Sequence, residues 1–239
     1  YIGTGKNYTE PATATSDAII SLDMDSGKVN WVFQARENDT WNGNCSSPAS
    51  LRCPVPPGHD FDFGAAAILL DDGDTLIAGD KGGVVYSINA ETGALNWANK
   101  VSEGSTLGGI HWGMAVDQTR VYVAATDFSI DKSSGGLADL IPGARPGIYA
   151  LNLATGAIDW EIHPTHMFEG LETPSLCSAS LSVSNDLLFA GSLDGVVKAF
   201  DTRDGTEKWS LDTAVNFTDI NGVSGNGGTI DSVGVVVAG

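Results

Sequence analysis

A short theme recurs four times along this chain and constrains its fold more than any other feature. It reads Asp/Asn-x-x-Ser/Thr/Asp-Gly-x-x-x-Trp, and its copies run over 23–31, 89–97, 152–160 and 201–209. Each copy follows a short apolar run, at 18–22, 84–88, 148–151 and 196–200. Asp or Asn opening a turn bonds its own backbone two residues on. The Gly supplies the positive φ of a tight hairpin. The Trp then falls on the outgoing strand, where its flat ring packs against a neighbouring repeat. The theme therefore predicts strand, turn, strand, repeated in units that cannot bury their apolar faces alone.

The repeat Trp residues stand 66, 63 and 49 positions apart. Propeller blades run roughly 40–50 residues, and the longer intervals carry insertions. Residues 36–63 are rich in Pro, Gly, Asn and Asp, and 126–146 contain Ser133-Ser134-Gly135-Gly136 and Pro142-Gly143, so both read as loops. Short strands are expected at 75–79, 120–124 and 186–191, each rich in Val, Ile, Leu, Tyr or Phe. No amphipathic helix of convincing length stands out. The expected fold is all-β, a β-propeller of four-stranded blades. A solenoid or sandwich is the competing architecture. About four blades are present, in one partial propeller domain over 1–239 that makes up about half of an eight-bladed ring. Both Tyr1-Ile-Gly-Thr-Gly5 and Gly234-Val-Val-Val-Ala-Gly239 read as mid-strand rather than as natural termini. The missing blades are expected from the rest of the chain or from another subunit.

Twelve basic residues stand against 30 acidic ones, a net charge of −18. That balance argues against nucleic acid and anionic membranes, whose phosphates need a cationic surface. No transmembrane run and no signal peptide occur. Cys45 and Cys53 flank a short Ser/Pro/Arg segment and can form a disulfide, which suits a secreted or periplasmic protein. Cys177 is left over, as a buried thiol or a partner for a cysteine elsewhere. Glycosylation sequons occur at Asn7, Asn38, Asn44 and Asn216.

Several strings resemble the quinoprotein alcohol dehydrogenases, in the polyvinyl-alcohol-dehydrogenase-like branch. They are Tyr1-Ile-Gly-Thr-Gly-Lys-Asn-Tyr8, Ser16-Asp-Ala-Ile-Ile-Ser-Leu-Asp23, Trp41-Asn-Gly-Asn-Cys45 and His59-Asp-Phe-Asp-Phe-Gly64. To these add Ala78-Gly-Asp-Lys-Gly-Gly-Val-Val-Tyr86, Gly108-Gly-Ile-His-Trp-Gly-Met114 and Phe189-Ala-Gly-Ser-Leu-Asp-Gly195. Trp-ended repeats also mark kinase-type and outer-membrane-assembly propellers. The Gly-Gly-Ile-His-Trp string argues against those.

The resemblance implies oxidation of an alcohol by hydride transfer to pyrroloquinoline quinone. A carboxylate serves as base, Ca²⁺ polarises the quinone, and a cytochrome c accepts the electrons. Lys81 matches the position where a cation bonds the quinone carbonyl oxygens. His111 and Trp112 match a pair near the cofactor. Asp17 matches an acidic position before the first hairpin, as the base or a Ca²⁺ ligand. Asp60 and Asp62 read as turn-capping and backbone-bonding residues. Lys6 stands where the family places a Ca²⁺-ligating Asn, and an ammonium cannot ligate a cation. Asn7 follows, on the opposite face of a strand. Two readings result. One is a secreted quinone-dependent dehydrogenase. The other is a secreted propeller without cofactor, serving as a binding or matrix scaffold.

Overall fold

The computed structural model describes residues 1–46, 50–105, 108–130, 138–140 and 143–238. Each Trp-ended repeat is a hairpin. The strand pairs are Ala18–Leu22 with Val29–Gln34, Val84–Asn89 with Leu95–Lys100, Gly147–Asn152 with Ile158–Ile162, and Val196–Asp201 with Glu207–Asp212. The four turns share one geometry. The Gly N–H donates to the carbonyl of the Asx residue at 2.8, 2.9, 2.8 and 2.9 Å in chain order. The side chains of Asp23, Asn89 and Asn152 accept from the N–H of Ser26, Thr92 and Thr155 at 2.7, 2.8 and 3.1 Å. In the fourth copy Asp201 binds Arg203 instead, through the backbone N–H at 3.0 Å and the guanidinium at 2.6 Å. Every turn Gly has a positive φ, and every pair slips register once, just before its turn.

Further strands widen each hairpin into an antiparallel sheet. Ile2–Gly3 joins the first, a sheet of three strands. Ile68–Leu69 and Thr75–Gly79 complete the second, Ala115–Val116 and Arg120–Ala125 the third, and Ser182–Ser184 and Leu187–Gly191 the fourth, each of four strands. The strands expected at 75–79, 120–124 and 186–191 are thus present, within a residue at their ends.

The chain divides into two compact units. One is 1–111 with 127–144, and the other is 112–126 with 145–239. In the first unit, Ile19, Phe63, Leu76, Tyr86 and Ile88 form the core, with Trp31 and Phe33 packed against it. In the second, Tyr122, Ile148, Cys177, Leu188 and Phe200 do so, with Trp160 against them. The repeat Trp fastens one sheet to the next within each unit. Trp31 Nε1 donates to the Ala90 carbonyl at 3.1 Å, and Trp160 Nε1 donates to the Thr202 carbonyl at 3.0 Å. Both acceptors are the residue after the turn Asx of the following repeat, so one theme supplies both halves of the joint.

Three expectations change. The 126–146 stretch is not all loop, because Phe128–Ile130 pairs with Ala138–Leu140; Ser133-Ser134-Gly135-Gly136 and Pro142 lie outside the described residues. The C-terminal 234–238 makes no strand ladder. The chain from Ser232 into this stretch is held instead by isolated bonds, from Ser180 N–H to the Ser232 carbonyl at 2.9 Å and from the Ser182 hydroxyl to the Val235 carbonyl. Gly239 lies outside the described residues. Two further hairpins, Thr165–Phe168 with Leu171–Pro174 and Asn216–Thr218 with Ser224–Asn226, carry no repeat signature. Among the described residues the one helical element is the 3₁₀ turn Gly43–Ser46, and no helix is long and apolar enough to cross a membrane.

Two turn glycines test this account. Gly27 and Gly93 have φ near +69° and +73°, but a Cβ on Gly27 meets nothing while one on Gly93 lies 2.7 Å from the Trp31 ring. Gly27→Ala should therefore cost only the backbone penalty, about 1–2 kcal/mol. Gly93→Ala should cost roughly 1 kcal/mol or more beyond that, because it also displaces the ring. Urea denaturation of both variants measures the difference, and equal costs contradict the docking role.

Candidate functional site

The residue segment 60–64 threads between the first two sheets and carries two buried or part-buried carboxylates. Phe63 N–H donates to the Thr4 carbonyl on one side at 3.2 Å, and Lys81 N–H donates to the Asp62 carbonyl on the other at 2.9 Å. That backbone frame brings two lysines and two aspartates together. Lys81 Nζ lies 3.0 Å from Asp60 Oδ2 and 2.9 Å from Asp62 Oδ2. Lys6 Nζ pairs with Asp60 Oδ1 and lies 3.1 Å from Asp62 Oδ2. Lys6 N–H also donates to Asp62 Oδ1 at 2.8 Å. The Lys81 side chain is only 6% exposed, so it is not a solvated hairpin lysine.

Asp60 and Asp62 are ion-pair residues and do not cap their own turn, although Asp62 also makes the expected kind of backbone bond, to the Lys6 N–H. Asp39 does the capping. Its carboxylate accepts the N–H of His59, Asp60 and Phe61 at 3.0, 3.4 and 3.3 Å, and this frees the Asp60 side chain for the lysines. No local pattern in the sequence announces the quartet, because Lys6 and Asp62 lie 56 residues apart.

The four groups tune one another. Burial alone would raise the Asp62 pKa, but hydrogen bonds from Lys81 and the Lys6 N–H, with both ammonium charges, bring it down to about 2. For Asp60 burial outweighs the two lysines, and its pKa is raised above the usual carboxylate value. Burial works against the Lys6 ammonium, yet Asp60 and Asp62 more than offset it and lift its pKa. The quartet therefore holds one firmly ionised carboxylate beside one that takes a proton more readily.

Asp17 lies close by in the same unit. Its N–H donates to the Gly5 carbonyl at 3.1 Å, and its φ is +45°. Its carboxylate is fully buried, and neither oxygen has a hydrogen-bond partner among the described residues. Burial first, then the charges of Asp39 and Asp62, push its pKa up to about 7. Arg36 opposes this; it pairs with Asp80 at 3.1 Å, which also accepts the Tyr86 hydroxyl at 2.9 Å.

His111 packs on the same segment, for a Cβ on Gly64 would lie 2.7 Å from its carbonyl. The preceding Ile110 N–H donates to the Asp80 carbonyl at 3.1 Å. Lys81 and His111 thus stand on adjoining stretches of the first unit. Trp112 belongs to the second unit, where it is exposed and lines a shallow cleft of about 350 Å³ with Ser180, Ser182 and Val233. Asn7 turns elsewhere, its Oδ1 accepting from the Thr13 N–H at 2.8 Å. Cys45 and Cys53 form a disulfide, with S–S 2.03 Å. Cys177 is a buried free thiol, its pKa pushed up to about 12 by burial.

Asp17 generates a prediction about stability. Its folded pKa of about 7 exceeds the unfolded 3.8, so between those values the folded state holds a proton that the unfolded state has lost. Stability from this group is present below pH 4 and is lost as pH rises towards 7. The loss is on the order of 3 kcal/mol. Subtracting the stability of Asp17→Asn from that of the wild type across pH 4–8 should reveal that fall. A flat difference contradicts the buried, unpartnered carboxylate.

Comparison with known proteins places these sheets in context. A family profile described as "Outer membrane protein assembly factor BamB", PQQ_2, matches residues 11–106 and 81–238. Polyvinylalcohol dehydrogenase from Pseudomonas sp. is 33% identical over 247 residues, covering 100% of this chain and 37% of that protein. Quinoprotein ethanol dehydrogenase from Pseudomonas aeruginosa is 24% identical over 254 residues, covering 81% of this chain and 37% of that protein. Among solved structures, a europium-containing methanol dehydrogenase superposes with a TM-score of 0.57 at 16% identity, covering 88% of this chain and 45% of that one. The chain thus spans well under half the length of the curated relatives it matches. Repeats, four-stranded sheets and these matches agree: the chain belongs to the PQQ_2 β-propeller family and is similar over its whole length to polyvinylalcohol dehydrogenase.

Proposed function

We propose that the first unit supplies part of the cofactor site of a secreted or periplasmic alcohol dehydrogenase that uses pyrroloquinoline quinone. The observation that carries this reading is the buried contact of Lys81 with Asp60 and Asp62. The donor set fits the carbonyl end of a quinone. An ammonium has three N–H donors, and among the described contacts Asp60 and Asp62 take two of those on Lys81. The third is left to address a carbonyl oxygen and to stabilise negative charge there. When bound, the quinone supplies the electron sink for a hydride from the alcohol carbon.

The protein's own part is to hold charge and move a proton. Asp60, with its raised pKa and its contact to Lys81, is the carboxylate that accepts the substrate hydroxyl proton. Asp62 stays ionised and keeps Lys81 charged and aimed. His111 stands on the adjoining segment of the same unit and is the second cofactor-binding candidate there; the resemblance pairs it with Trp112 near the cofactor. Asp17, as deeply buried as Asp60 and with neither carboxylate oxygen hydrogen-bonded among the described residues, is the second candidate for the base. The disulfide and the four sequons support a secretory or periplasmic setting. A cytochrome c is the proposed electron acceptor, and further blades complete the ring.

One observation favours the scaffold reading. The quartet neutralises itself, and a buried ion-pair cluster of this kind also serves to fix a fold.

Loading the purified protein with the quinone separates these readings. The dehydrogenase reading expects a quinone absorbance band and dye reduction with primary alcohols or polyvinyl alcohol. Lys81→Ala should abolish turnover with the fold retained. Asp60→Asn should lower turnover about 100-fold or more while Asp17→Asn leaves most of it, since a general base contributes that much. The reverse ranking would move the base to Asp17, and no quinone binding at all would leave the scaffold.

A further inference from the structure

We infer that Lys6 is the resident cation of this site, so that Asp60 and Asp62 hold an ammonium of the chain itself and not a metal ion. The Ca²⁺ that the family resemblance implies does not fit the donors present. The inference rests on the quartet's geometry alone and stands whether or not a quinone binds.

Consider the four carboxylate oxygens in turn. Asp60 Oδ1 faces Lys6 Nζ, and Asp60 Oδ2 faces Lys81 Nζ at 3.0 Å. Asp62 Oδ1 accepts the Lys6 N–H at 2.8 Å, and Asp62 Oδ2 faces Lys6 and Lys81 Nζ at 3.1 and 2.9 Å. Each of the four oxygens already faces a positive group or an N–H of the chain: both Asp62 oxygens accept hydrogen bonds, and both Asp60 oxygens lie in ion-pair contact with an ammonium. Ca²⁺ asks for six to eight oxygen ligands, and among the described residues no group of three or more His, Cys, Asp or Glu could hold a metal. An incoming divalent ion would also face two ammonium charges. Asn7, the nearest amide along the chain, spends its oxygen on Thr13.

The surroundings of Lys6 suit an organic cation. Its Nζ lies 5.3 Å from the centre of the Tyr8 ring and 5.4 Å from that of Trp41, two π-faces that attract an ammonium. Its side chain is 12% exposed. Gly5 lets the Asp62 carboxylate press onto the backbone beside it, since a Cβ there would collide with that carboxylate. Lys6 thus grips Asp62 from its backbone and its side chain together. The positive charge a metal would bring is in place when the protein folds, and it cannot dissociate.

Terbium luminescence tests this directly, because Trp41 stands beside the site and sensitises bound Tb³⁺. Other acidic groups on the protein will bind some of the ion, so the readout is the part that Asp62→Asn removes. In the wild type that part should be zero, and millimolar Ca²⁺ should shift the melting temperature of the wild type and Asp62→Asn equally. Lys6→Asn should gain a site, binding Tb³⁺ at least tenfold more tightly than the wild type, and Asp62→Asn in that background should erase the gain. Lys6→Gln repeats the test should the first variant melt early. A wild-type Tb³⁺ signal that Asp62→Asn abolishes overturns the inference, even if neither Lys6 variant folds. So does a folded Lys6 variant that gains no site, since it would show that Lys6 is not what keeps the ion out.

Discussion

Two lysines sharing two aspartates in a nearly dry setting is the interaction on which this reading of the molecule depends. Burying four charges is costly unless each is paired and hydrogen-bonded. Here each ammonium touches both carboxylates, and a backbone N–H completes the set. Removing one member would leave an uncompensated charge behind. The surroundings accordingly support the quartet from three sides: Asp39 caps the loop that bears Asp60, Gly5 admits Asp62, and two aromatic rings cover Lys6.

The repeats make that arrangement possible. A hairpin whose Trp reaches the next hairpin's backbone locks two sheets at a set spacing, and Trp31 does so for the sheets that flank residues 60–64. With the flanking sheets held, a loop segment between them meets Lys6 from one side and Lys81 from the other. Hairpin chemistry at the rim thus positions charges at the site, although no repeat residue takes part in the quartet.

Much of the fold was legible because its determinants are local. Asx, Gly and Trp at set offsets specify a turn and an outgoing strand, and all four copies obey. The site was legible only in part. Lys81 stood out through its Gly-rich string, but its partners did not. Asp60 and Asp62 sit among Pro and Gly, where a carboxylate ordinarily caps a turn, and nothing local says that Asp39 performs that task. Lys6 was read as a substitution for an expected ligand, whereas its partners lie more than fifty residues away. The hairpin at 165–174 was missed because its strands, Thr165–Phe168 and Leu171–Pro174, lack the Val and Ile runs that mark the others. Sequence separation hid the quartet, and weak strand propensity hid the hairpin.

The central claim is that the quartet is a coupled unit and not a set of adjacent charges. A double-mutant cycle on Lys81 and Asp62, using Lys81→Met and Asp62→Leu with unfolding free energies from urea titration, measures that coupling. The account predicts an interaction of about 2 kcal/mol or more, with each single variant costing more than the pair together. Additive costs would contradict it, for they would mean that the two side chains do not sense each other in the folded protein.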